Sequence, residues 1–168
     1  MWWLIFHKNN LNLDYMNKEE DLQARCVAAY RAVFRPGHAE YWAFYKVHNE
    51  GAKSPRRAGL DGLMGLLAGQ ADMSLDWPSG QWHGAKVEFK AGGVQGPAQK
   101  VVAAAALVAG YRYIVVTSVG QFTDFIGDWF GQPFRGTELP GEAKVLVSRI
   151  LAAKLKKKRA KPLANAHN

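Results

Sequence analysis

The chain has 168 residues, with 22 Lys and Arg against 14 Asp and Glu, giving a formal net charge of +8. This length favours one domain with room for an extra helix or tail, and 48% hydrophobic residues exclude wholesale disorder. The single cysteine, Cys26, excludes an internal disulfide framework and a cysteine-rich zinc site, and no apolar stretch reaches the ~18 residues of a spanning helix.

The chain opens on an apolar hexamer, Met1-Trp2-Trp3-Leu4-Ile5-Phe6. It is too short for a secretory signal and has no basic residue in front. The expected setting is therefore reducing and intracellular. Met16 directly precedes a polar helix start, so residues 1–15 read as an extension ahead of the natural start. Asn17 is a good N-cap for a helix from Lys18 to Phe34. At about 100° per residue, Leu22, Cys26, Tyr30 and Val33 form its apolar stripe. Glu19 falls in the middle of that stripe with Tyr30, Cys26 and Gln23, whereas Glu20 and Asp21 turn toward its edge and solvent. A carboxylate on the core side needs a partner. The alternative is an acid in the first turn, kept wet and favoured by the helix dipole.

Arg35-Pro36-Gly37 ends the helix, and the aromatic run Tyr41–Val47 reads as a strand. A polar loop over 48–57 leads to a short helix over Arg57–Leu67, weakened by glycines. Ala71–Asp76 and Ala85–Lys90 read as two strands joined by the turn Pro78-Ser79-Gly80. Pro97 suits a helical first turn and Gly110 a C-terminal cap. The helix between them, Ala98–Ala109, is apolar nearly all round and is predicted to be buried. Tyr111–Thr117 is a further strand, Phe122–Phe130 a short helix, and 131–141 a loop. Glu142 to about Lys158 forms an amphipathic helix.

Most of the net positive charge sits at this end. Lys154, Lys156, Lys157, Lys158, Arg159 and Lys161 supply six of the 22 basic residues, and no acid follows Glu142. Without those six, 16 basic residues face 14 acidic ones. Such a run is either a solvated tail or an arm that seeks phosphates. The order of elements predicts a mixed α/β layer around a small sheet.

Asp72, Glu88 and Lys90 carry the candidate chemistry. Glu88 and Lys90 are two apart on one strand and share a face, and Asp72 starts its hairpin partner. Two carboxylates and an ammonium on one sheet face suit a hard cation such as Mg²⁺. Such an ion would stabilise charge on a phosphate and lower the pKa of a bound water. Taken alone, the Glu-x-Lys triplet equally suits a polar strand face. Gln99 is the uncharged polar residue of the Ala-rich helix, a candidate amide for a water or phosphate. The five histidines show no metal-ligand spacing, and Cys26 on an apolar stripe reads as a packed thiol.

In order, Glu19-Glu20-Asp21-Leu22-Gln23, Asn49-Glu50-Gly51, Gly69-Gln70-Ala71-Asp72, Val87-Glu88-Phe89-Lys90, Gln99 and Ala109-Gly110-Tyr111-Arg112 resemble the VRR-NUC family of PD-(D/E)xK nucleases. The resemblance runs from Glu19 to Val119. It implies a restriction-endonuclease-like αβββαβ core, a small mixed sheet flanked by helices, with the C-terminal helix added. On this reading residues 16–130 form the nuclease domain, and 131–168 the loop, amphipathic helix and basic tail. The implied activity is Mg²⁺- or Mn²⁺-dependent hydrolysis of DNA phosphodiesters. The implied metal ligands are Asp72, Glu88 and the Phe89 carbonyl, with Glu19 completing or supporting the site. Lys90 is the implied catalytic lysine and Gln99 the glutamine beside it. Ala71 departs from the family's proline before the aspartate.

Short members of bacterial or phage type resemble homodimeric Holliday-junction resolvases. This implies branched DNA and a second copy of the chain as partners, no membrane, and a cytoplasmic location. Lys53, Arg56, Arg57, Lys156, Lys157, Lys158 and Arg159 are the candidate DNA contacts. Two other classes stand beside this reading: a nuclease-like module that binds DNA without cutting, and a structural protein that recruits partners through its C-terminal helix.

Overall fold

A computed structural model describes residues 17–47, 59, 61–63, 65–131 and 136–159. The N-terminal extension, the loop over 48–57 with Lys53, Arg56 and Arg57, residues 57, 58, 60 and 64 of the helix expected over 57–67, and the last nine residues lie outside the described residues; of that expected helix, 59 and 61–63 are helical and residue 65 is already in a turn.

The first helix, α1 (Lys18–Val33), starts where its cap chemistry predicts. Asn17 Oδ1 accepts from the amides of Glu19 and Glu20 at 3.0 and 2.9 Å, and Glu20 Oε2 accepts from the Asn17 amide at 3.0 Å. This reciprocal arrangement satisfies amides that a helix start leaves unpaired. Leu22, Cys26 and Tyr30 are buried as expected. Val33 is exposed instead, and Phe34 takes the core position, its ring 4.7 Å from that of Tyr30.

The expected strand over 41–47 is only partly a strand. Ala39–Ala43 form a short helix, α2, and the strand β1 is confined to Phe44–Lys46. Tertiary contacts override the β-propensity of the aromatics here. Tyr30 donates its hydroxyl to the Glu40 carbonyl at 2.6 Å, and the amide of Thr137 donates to both oxygens of the buried Glu40 carboxylate at 2.9 Å. Backbone bonds from Ala39 to Thr137 (2.8 Å) and from Leu139 to Gly37 (2.9 Å) complete a staple between 37–40 and 137–139.

The strands β2 (Met73–Leu75), β3 (Gly84–Phe89) and β4 (Tyr111–Val116) join β1 in a four-stranded sheet of order β1-β2-β3-β4. The first three pair antiparallel and β3 pairs parallel with β4. The parallel step needs a crossover, supplied by helix α3 (Pro97–Val108). Helix α4 (Val119–Phe130) follows β4, and α5 (Gly141–Arg159) ends the described chain. The core lies on one face of the sheet. Phe44, Met73, Leu75, Ala85, Val87, Phe89 and Val116 point into it, covered by Leu22, Cys26, Tyr30 and Phe34 of α1 and by Phe122, Phe125, Ile126 and Trp129 of α4. Cys26 is a packed thiol there, and burial pushes its pKa up to about 12.

Helix α3 overturns one expectation: none of its residues is buried. Val101 is 70% exposed and Val108 91%. Four-strand sheets are narrow, and α3 packs chiefly against β4, so among the described residues its outer half has nothing to cover it. Its start is nonetheless tightly placed. Gly69 adopts φ +82°, and a Cβ there would lie 2.6 Å from the Ala98 carbonyl carbon and 2.8 Å from the Gln99 amide nitrogen. Gly69→Ala should therefore destabilise the chain by about 1–3 kcal/mol, readable as a lower urea midpoint at unchanged slope. Wild-type stability in that variant would contradict this packing.

Candidate active site

The opposite face of the sheet is polar, and the side chains singled out in the sequence meet at the carboxyl end of β3. Glu88 lies mid-site with 1% exposure. Burying a carboxylate is costly unless it is paired and hydrogen-bonded, and Glu88 is both. Its Oε1 lies 2.9 Å from Lys90 Nζ and accepts from the Gln99 side-chain amide. Its Oε2 accepts from the Tyr113 hydroxyl at 3.3 Å.

Each partner is fixed by its own element. Lys90 follows β3, and its amide donates to the Val116 carbonyl at 2.9 Å. Its ammonium also reaches Glu19 Oε2 at 3.5 Å, so the carboxylate on the α1 stripe does find a partner. Glu19 stays partly wet, at 43% side-chain exposure against 12% for Lys90. Both readings of Glu19 therefore hold in part: it is a first-turn acid that also reaches inward. Gln99 sits at the third position of α3, behind Pro97. Its Oε1 accepts from the Gly96 amide at 2.9 Å, which leaves its NH₂ group aimed at Glu88. One side chain thus caps a helix and braces the site. Asp72 ends the chain segment entering β2, its Oδ2 accepting from the Phe89 amide at 2.8 Å. This bond ties the Asp72 carboxylate to the strand that carries Glu88.

The charges act on one another. Burial raises the pKa of Glu88, the Lys90 contact pulls it back, and the Asp72 charge raises it further, leaving it above the ordinary carboxylate value. Burial draws the Lys90 ammonium down, but Glu88, with Glu19 behind it, outweighs this and holds it above the ordinary lysine value. Burial and the Glu88 charge push the Tyr113 hydroxyl up. At neutral pH Lys90 is therefore a fixed cation and Tyr113 a fixed donor.

Among the described residues, no three His, Cys, Asp or Glu side chains converge as ready metal ligands. The donor set nevertheless suits a hard divalent cation. Mg²⁺ typically takes one or two carboxylates and keeps several waters. The Asp72 charge opposes the ionisation of Glu88, a repulsion that a cation would relieve. Tyr113 is the member of the cluster that sequence reasoning missed. It faces the site because β4 pairs with β3 in parallel, Tyr113 opposite Lys86 and Val115 opposite Glu88. Strand alternation gave it a face, but only the register places it beside Glu88. Lys156 is exposed on α5, and none of the hydrogen bonds and ion pairs of the Glu88 cluster described above involves it. The helix also carries Lys157, Lys158 and Arg159, whose side chains lie outside the described residues.

The structure is similar to that of a VRR_NUC domain protein. The TM-score is 0.56 with 22% identity, over 74% of this chain and 98% of that one. The chain has the fold of a VRR-NUC domain. No protein-family model matches it, and neither does any curated protein compared with it. The likeness also fits the restriction-endonuclease-like core, with α1, β1, β2, β3, α3 and β4 in the expected order and α2 inserted before β1.

The raised Glu88 pKa has a sign that can be tested. A carboxyl whose folded pKa lies above its unfolded value contributes stability below the unfolded pKa, and that contribution is lost as pH rises through the folded one. Glu88→Gln keeps the shape and removes the ionisation. Measured by urea unfolding without divalent metal, its stability relative to wild type should rise as pH is raised from acid through the carboxylate range. A constant difference across that range would contradict the assignment.

Proposed function

We propose that this VRR-NUC-fold chain is a Mg²⁺- or Mn²⁺-dependent deoxyribonuclease that cuts branched DNA. One observation carries this reading: a fully buried glutamate is braced by a lysine, an amide and a hydroxyl beside a second carboxylate, at the carboxyl end of β3. Such an arrangement is costly as mere structure and suits a site where phosphate charge is handled.

Asp72, Glu88 and the Phe89 carbonyl would hold the cation, which when bound stabilises charge on the phosphate and lowers the pKa of a coordinated water. Lys90, held protonated, is an ammonium that orients the attacking water and offsets negative charge on the phosphate; it is not a base. Glu19 keeps that ammonium from swinging out. Gln99 and Tyr113 fix the two oxygens of Glu88, so the carboxylate does not reorganise when the phosphate arrives. The basic end of α5 and the tail beyond it would neutralise phosphates away from the cut. A homodimer would present two such sites to a junction, one per strand, and the open apolar face of α3 gives a second copy something to cover.

Lys90→Ala and Asp72→Ala should each slow cutting of labelled four-way junctions, flaps and forks in Mg²⁺ or Mn²⁺ by roughly 100-fold or more, and EDTA should abolish cutting by wild type. Cutting at wild-type rate by either variant would refute the assigned site. Tight binding of these substrates with no cutting in either metal would favour a binding module instead. Deleting residues 154–168 should weaken binding and flatten its salt dependence, by roughly 0.9 in slope for each duplex phosphate that the tail neutralises. An unchanged slope would remove the tail from the interface.

A further inference from the structure

The polar face of the sheet does not end at Glu88. Lys86 lies two residues earlier on β3, so it shares the face at about 6.6–6.8 Å along the strand. Across β2 it stands opposite Ser74, which in turn stands opposite Tyr45 of β1. These side chains form one chain of hydrogen bonds. Lys86 Nζ donates to Ser74 Oγ at 2.7 Å, Ser74 Oγ to Asp76 Oδ1 at 2.6 Å, and the Tyr45 hydroxyl to Asp76 Oδ2 at 2.5 Å. On its other side the Lys86 ammonium lies 4.6 Å over the ring of Tyr111.

This arrangement holds the end of a flexible side chain in one place. Ser74 is fully buried and serves as the relay, and Asp76 has both oxygens engaged by neutral hydroxyls. The Lys86 ammonium is 3.9 Å from the nearer Asp76 oxygen, beyond hydrogen-bond reach, so its charge is only partly offset. Its side chain is 26% exposed and Tyr45 is exposed beside it. None of the contacts that define the Glu88 cluster involves Lys86. A pinned, partly open ammonium flanked by tyrosine rings has the composition of a groove that follows one nucleic-acid strand: a cation for the backbone and aromatic faces for bases or sugars.

Resting on the nuclease reading and extending it, we propose that Lys86, Tyr111 and Tyr45 form a subsite for the nucleotide next to the cleaved bond, with the ammonium on its phosphate and the tyrosine rings against its base or sugar. Lys86 and the site around Glu88 and Lys90 then face neighbouring phosphates of one strand laid along β3. Ser74 and Asp76 are positioning residues for the ammonium.

The test is binding of a single-stranded oligonucleotide and of a branched substrate to the full chain, with Ca²⁺ replacing Mg²⁺. Lys86→Met should weaken binding and lower the salt slope by about 0.7 on single strands, while Lys86→Arg should keep the wild-type slope. In a scan of neutral methylphosphonate linkages, one linkage beside the cut should weaken wild type and leave Lys86→Met unaffected. In the wild-type chain, bound oligonucleotide should protect Lys86 from acetylation, a readout that needs no variant. Equal sensitivity of wild type and Lys86→Met at every linkage, or equal labelling with and without oligonucleotide, would overturn the subsite. If wild type still cuts, the nuclease reading survives that result. If wild type neither binds nor cuts, both fall.

Discussion

The burial of one carboxylate organises this molecule. Glu88 is nearly sealed from solvent, and an unpaired charge in that position would cost several kcal/mol. Its needs are met from separate parts of the chain: the ammonium that follows β3, the first turn of α3, and the middle of β4. Behind these stand the first turn of α1, through Glu19 on Lys90, and the entry to β2, through Asp72 on the Phe89 amide. Five elements are therefore tied by polar contacts at one point. A polar cluster of this kind specifies geometry more than it adds stability.

Stability comes from the other side of the same strands. Val87 and Phe89 flank Glu88 in sequence and point the opposite way, into a core closed by α1 and α4. The pleat separates the two tasks residue by residue. The apolar face anchors β3, and the polar face can then hold repelling charges at fixed positions. The same logic extends along the strand to Lys86, whose neighbours in sequence, Ala85 and Val87, are core residues.

Much of this was legible in the sequence wherever a local rule decides the outcome. Asn17 marks the start of α1, Pro97 marks that of α3, and the Glu88–Lys90 spacing puts both on one face. The choice of Glu19 over Glu20 followed from helical geometry alone. The failures arise where distant contacts decide. Residues 39–43 have strand-like composition, yet the buried Glu40 draws them into a helical turn by accepting from Thr137, 97 residues away. Apolar composition in α3 implied burial, but composition does not say whether the rest of the chain is large enough to cover a helix. Tyr113 stayed hidden because its role depends on the β3–β4 register, which no local pattern encodes.

The staple around Glu40 has a mechanical meaning for the basic end of the chain. It fixes residues 137–139 to the body just before α5 begins. His38 and Lys144 also bracket Glu138, at 3.4 and 2.5 Å. A 19-residue helix spans about 28 Å. The cluster of lysines at its far end is thus tethered at a bounded radius from a fixed origin. Such a tether gives its charges a high effective concentration around the body, so that once one part of a long polyanion is held, the second contact forms within the same complex.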